Sequence, residues 1–192
     1  MTLETRTNNQ TLETRDDDGK SVVVGLGVSY GGTAEIGDSF REVFAPGAFA
    51  RSINEDVLAL FGHDRNRVLG RTTAGTLRLR EDARGVHYEI DLPDTTDGRD
   101  LAVSVARGDI RGTSFGFRAV RETWDDTANP PVRTIHEAVL REISPTADPA
   151  YEDTTIAMRS LDAARKERRS SNYNHAARRL RMKISLDLKG RE

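Results

Sequence analysis

Gly75-Thr76-Leu77-Arg78-Leu79-Arg80, followed after Glu81 to Gly85 by Val86-His87-Tyr88-Glu89-Ile90-Asp91-Leu92, reads as a β-hairpin. Successive side chains on a strand point to opposite faces, so Leu77 and Leu79 look one way and the arginines the other. Such strands are half exposed. On the N-terminal side, the β-branched run Val22 to Val28 is bounded by glycines like a buried strand and is broken by Gly31-Gly32. Pro46-Gly47-Ala48-Phe49 leads into one or two helical turns ending near Ile53, and Val57 to Phe61 is a second buried strand. On the C-terminal side, Leu101, Ala102 and Val105 recur at helical spacing between Asp97 and Arg107, with Gly108 placed to end the helix. Thr113 to Val120 and Val132 to Ile143 read as long strands separated by the turn-rich Asp125 to Pro131, and Thr155 to Met158 as a last short one.

Many strands, few helices and no regular strand-helix alternation argue against a parallel doubly wound sheet. The expected class is mainly β (α+β): a closed or nearly closed antiparallel β-barrel with a few flanking helices, because closure removes exposed edges.

Length and charge set the organisation. With 192 residues and 36% hydrophobic content, one globular domain with tails is expected. The net charge of −2 hides an asymmetry: residues 1–160 carry 19 Lys and Arg against 27 Asp and Glu, whereas 161–192 carry 10 against 4. Thr2-Leu3-Glu4-Thr5-Arg6 recurs as Thr11-Leu12-Glu13-Thr14-Arg15 ahead of an acidic run, so 1–20 reads as a flexible arm, 21–160 as the folded body and 161–192 as a basic, mobile tail. A charge run of this kind reads as a solvated segment in preference to a nucleic-acid-binding one. The absence of cysteine excludes disulfides, thiolate metal sites and a thiol nucleophile. No cofactor or metal is expected, and nothing resembles a signal peptide or a membrane span, which places the chain in the cytosol where it is made.

Any nucleophile must then be a hydroxyl, and a serine needs an imidazole base. Gly112-Thr113-Ser114-Phe115-Gly116-Phe117 is the outstanding stretch: on a strand, Ser114 shares a face with Gly112 and Gly116 while Phe115 and Phe117 enter a core. The flanking glycines suggest open space around the hydroxyl for a peptide. They are equally readable as a bulge or a barrel bend with an incidental serine. The stretch also fits the Gly-x-Ser-x-Gly elbow of α/β-hydrolases, with His136 downstream, although that motif needs a strand-to-helix junction. Of the four histidines, His63 closes an apolar strand at the rim of the core, His87 sits in the hairpin and His175 in the tail.

Several separate blocks carry a resemblance: Phe40-Arg-Glu-Val-Phe44-Ala-Pro-Gly-Ala-Phe49, Leu60-Phe-Gly-His63-Asp64, Gly98-Arg-Asp-Leu101, Gly108 through Phe117, Leu140-Arg-Glu142-Ile-Ser144 and Pro149-Ala150. In this order, over Val22 to Ala157, they resemble the prohead (capsid maturation) proteases of tailed bacteriophages, a family related in fold to the herpesvirus assemblins. The resemblance implies a serine endopeptidase with His63 as general base, Ser114 as nucleophile and Glu142 as third member. Because the assemblins use a second histidine, His136 stays open as the alternative to Glu142. The implied substrates are the major capsid protein, its scaffold segments and the enzyme itself, met inside the immature prohead in the bacterial cytoplasm, with loss of the tail beyond Ser160. A homo-oligomer is compatible with this reading. Two competitors use the same residues: a non-catalytic capsid-assembly module recruited by the basic tail, and an elbow-type esterase.

Overall fold

Residues 3–8, 12–17, 19–147 and 154–189 are described by the computed structural model. In chain order they form the strands β1 (Glu4–Asn8), β2 (Glu13–Asp17), β3 (Lys20–Ser29), β4 (Thr33–Ile36), β5 (Phe40–Phe44), β6 (Leu58–Phe61), β7 (Asp64–Arg71), β8 (Leu77–Asp82) and β9 (Gly85–Asp91). Helix α1 (Thr96–Arg107), strands β10 (Gly112–Asp125) and β11 (Val132–Thr146), and helix α2 (Thr154–Lys189) follow. The chain divides into two compact units, Met1–Thr154 and Thr155–Glu192, the first containing every strand.

The protein is mainly β with mixed sheets, as the alternation pattern requires, but the strands do not close into a barrel. One sheet has the order β1-β10-β11-β5-β4, with β6 paired to β11 and β7 to β6; the other is β2-β3-β9-β8. Strand β11 is parallel to β5 at its start, through Val132 to Ile135, and parallel to β6 near its end, through Glu142 and Ile143. Two parallel neighbours on one long strand branch the sheet instead of closing it. The edges that closure would have removed are protected by charge: β2 is Glu-Thr-Arg-Asp-Asp and β8 is Leu-Arg-Leu-Arg-Glu-Asp.

The expected hairpin is present, with Leu77 to Asp82 pairing antiparallel with Gly85 to Ile90. Helix α1 also forms where its caps predict: the Thr95 side chain accepts from the Gly98 N–H at 3.3 Å, Gly108 adopts φ 80°, and Leu101 and Val105 are buried. The turn after Pro46 leads only to a short 3-10 turn at Ser52–Asn54. Thr155 to Met158 is helical, the start of α2, with Ala157 and Leu161 buried one helical turn apart. Pro149-Ala150 lies outside the described residues.

The N-terminal segment is the largest departure from expectation. Most of 1–20 read as a flexible arm, yet β1 pairs with β10 from Glu4↔Phe117 to Asn8↔Thr113 and β2 pairs with β3. Its polarity misleads because its charges are paired internally. Arg6 is 3% exposed and its guanidinium meets Glu42 and Glu4, while Arg133 bridges Glu4, Glu42 and Glu122. Burying such groups is tolerable only when each is paired.

Between the sheets lies one apolar cluster. Phe44, Phe49, Phe115 and Phe117 stack with centroid separations of 5.2 to 6.3 Å, and Val23, Val28, Tyr88 and Ile90 of the second sheet join them. Truncating a fully buried phenylalanine such as Phe117 costs about 3–5 kcal/mol, which fixes β10 and hence the face it turns away from the core.

Candidate active site

The face of β10 opposite the phenylalanines carries the candidate chemistry. In the β10–β11 register Ser114 stands opposite Ser144 and Gly116 opposite Glu142, while Phe115 stands opposite Ile143. Residues directly opposite share a face, so Ser114, Ser144 and Glu142 gather on one side of the hairpin and the apolar pair on the other. A register shift follows Gly116. A Cβ at position 116 would lie 2.7 Å from Glu142 Oε1. The glycine therefore makes room for the Glu142 carboxylate; it does not leave the open space expected around Ser114.

His63 reaches this face from the β6–β7 turn. Phe61 pairs with Asp64, and the two residues between them, Gly62 at φ 57° and His63 at φ 66°, both have left-handed backbone. This is the pattern of a two-residue type I′ hairpin turn, and histidine is among the few side chains that enter the left-handed region with any frequency. Because β6 runs parallel to β11, the turn docks on the end of β11: the Gly62 N–H donates to the Pro145 carbonyl at 3.3 Å and the His63 N–H to Ser144 Oγ at 3.2 Å. The ring then meets Glu142, with Nδ1 and Oε1 2.7 Å apart. Ser144 Oγ donates to the other oxygen, Oε2, at 2.5 Å.

Both carboxylate oxygens are thus committed, one to the imidazole and one to a hydroxyl. The Glu142 side chain is 4% exposed and that of His63 36%, so a solvent-accessible ring stands over a buried carboxyl group. With Nδ1–H given to Glu142, Nε2 is the basic nitrogen. An imidazole paired with a buried carboxylate, on the strand face that also bears Ser114, supplies the residue types that a hydroxyl-nucleophile hydrolase needs.

Ser114 is 2% exposed, and its Oγ donates to the backbone carbonyl of Arg6 at 2.8 Å, because Thr7 of β1 lies directly opposite it. His136, the alternative third member, is partly buried and bonds Thr123 Oγ1 through Nε2 at 2.8 Å. It lies six residues from Glu142 along an extended strand, about 20 Å. His87 faces Asp82 at 3.0 Å, and the His175 side chain lies outside the described residues. The elbow reading fails on geometry, since β10 continues as a strand from Gly112 to Asp125 with no helix after Gly116.

Ser144 joins this network although the sequence alone assigns it no role. Its signal was alternation, because Glu142 and Ser144 are two apart on one strand and must share a face. Among the described residues, no group of three or more His, Asp or Glu is placed to hold a metal ion, and no helix is long and apolar enough to cross a membrane. No curated protein and no solved structure matches the chain significantly. The family profile described as caudovirus prohead serine protease does match, over residues 8–168. That span covers β2 through β11 and the site just described, and the chain belongs to the caudovirus prohead serine protease family.

Proposed function

We propose that this serine peptidase cleaves scaffold segments of capsid proteins inside the immature prohead, with Ser114 as nucleophile, His63 as general base and Glu142 as the carboxylate that orients the ring. The contact that carries the reading is His63 Nδ1 to Glu142 Oε1 at 2.7 Å, on the face of β10 and β11 that also bears Ser114. His63 Nε2 takes the Ser114 proton as Oγ bonds to the peptide carbonyl carbon. Collapse of the tetrahedral adduct breaks the C–N bond, and the imidazolium returns the proton to the leaving amine. Water, deprotonated by the same nitrogen, then hydrolyses the acyl-serine. Glu142 holds the useful tautomer throughout and offsets the positive charge on the ring.

In this reading the basic segment beyond Ser160 is removed by the enzyme itself. Co-expression with the major capsid protein and its scaffold segment tests the reading by gel and intact mass. Wild-type enzyme should shorten both the capsid protein and its own chain, and Ser114→Ala should leave both at full mass. Equal cleavage by the two would refute it.

A further inference from the structure

The N-terminal strand occupies the one place beside Ser114 where an extended peptide would have to lie. Strand β1 runs antiparallel along β10, places Thr7 opposite Ser114, and offers the Arg6 carbonyl to the serine hydroxyl at 2.8 Å. The residue whose carbonyl meets the hydroxyl also has its side chain bound on several sides. Arg6 Nε donates to Glu42 Oε1 at 2.6 Å and Nη2 to Glu42 Oε2 at 3.1 Å, a two-pronged contact that suits guanidinium and not ammonium. Arg6 Nη2 also reaches Glu4 Oε2 at 3.0 Å and Nη1 the Thr5 carbonyl at 2.8 Å.

Three further observations separate the groove from its occupant. The family match begins at residue 8, the last residue of β1, so Glu4 to Thr7 lie outside the matched span. The same five residues, Thr-Leu-Glu-Thr-Arg, recur at 11–15, where Arg15 is exposed; the sequence alone does not bury its arginine, the groove does. Glu42 belongs to the domain and also accepts from Arg133 Nη1 at 2.9 Å, so the carboxylate that holds Arg6 keeps a cation of the domain when β1 withdraws.

We propose that the groove beside β10 is a peptide-acceptor site selective for arginine on the acyl side of the bond, with Glu42 as its specificity-determining residue, and that β1 is its resident intramolecular occupant. The proposal rests on Ser114 being the nucleophile for its catalytic meaning, but the groove can be tested without catalysis. Free peptides compete with β1, and the intact chain is held back until β1 leaves.

The test uses full-length chains and the hexapeptide Leu3-Glu-Thr-Arg-Thr-Asn8, fluorescently labelled. Arg6→Ala loosens β1 while Arg133 still pairs with Glu42. In an Arg6→Ala chain that also carries Ser114→Ala, the peptide should bind saturably, and about tenfold or more weaker when its arginine is replaced by lysine or when Glu42→Gln is added. The chain with native β1 should bind it poorly. With Ser114 intact, Arg6→Ala should react with a serine-directed phosphonate about tenfold faster than wild type, and the hexapeptide should slow it again. Thr7→Pro, which disrupts the ladder but keeps Arg6, repeats both measurements should Arg6→Ala not fold. Absence of saturable binding, or binding indifferent to lysine for arginine, overturns the acceptor site. Arginine-selective binding without phosphonate labelling in any variant sustains the site and rejects Ser114 as nucleophile.

Discussion

Gly116 and Glu142 stand directly opposite each other on β10 and β11, and the carboxylate occupies the volume that a side chain at 116 would need. The glycine is therefore part of how His63 is held. Gly116→Ala places a methyl 2.7 Å from Oε1, so the buried carboxylate must swing away from the ring. Activity on a capsid-derived peptide should fall about 100-fold, as expected for a misplacement of order 1 Å, with KM little changed. Retention of wild-type kcat would show that Glu142 is not needed where it stands.

Glu142→Gln keeps the shape and removes the charge. An amide can donate its N–H to Nδ1 and move the ring proton to Nε2, which leaves no base facing the serine. The expected loss in kcat is about 10³–10⁴-fold, the scale on which an orienting carboxylate acts in a serine triad. His136→Ala, remote on β11, should change kcat by less than about twofold, since surface groups away from the site contribute little. The reverse pattern would assign the third role to His136.

His63 pairs its chemistry with an unfavourable backbone. At φ 66° a side chain costs about 1–2 kcal/mol relative to glycine, partly offset by the greater freedom glycine has in the unfolded chain. His63→Ala and His63→Gly should both be inactive, and thermal or urea unfolding should find the Gly variant more stable than the Ala variant by about 0.5–1 kcal/mol. Equal stability would mean that the turn relaxes out of the left-handed conformation.

Local patterns were legible in the sequence and long-range pairings were not. The Leu77 to Leu92 hairpin, the capped helix ending at Gly108, and the division of Ser114 from Phe115 and Phe117 follow from alternation, spacing and caps, all written within a dozen residues. Strand β1 was invisible because its burial depends on Glu42 and Arg133, 36 and 129 residues from their partners Arg6 and Glu4. The strands form no closed barrel for a related reason: alternation gives a strand's faces, whereas the parallel neighbours of β11 are chosen by side chains far away in the chain. His63 and Glu142, 79 residues apart, were linked beforehand only through the family resemblance, and glycine spacing pointed to empty space that a carboxylate fills.

Ser144 sharpens the choice of nucleophile, because it lies directly opposite Ser114 and closer in the bonding network to His63. Its hydroxyl is committed twice, donating to Glu142 and accepting from the His63 N–H, so its proton is held by the carboxylate and not by Nε2. Long incubation of the full chain with a serine-directed phosphonate, followed by peptide mapping, tests this most directly. A single adduct is expected on the peptide containing Ser114, absent from Ser114→Ala and from His63→Ala; an adduct on Ser144, or labelling of Ser114 that persists without His63, would overturn the assignment of nucleophile and base.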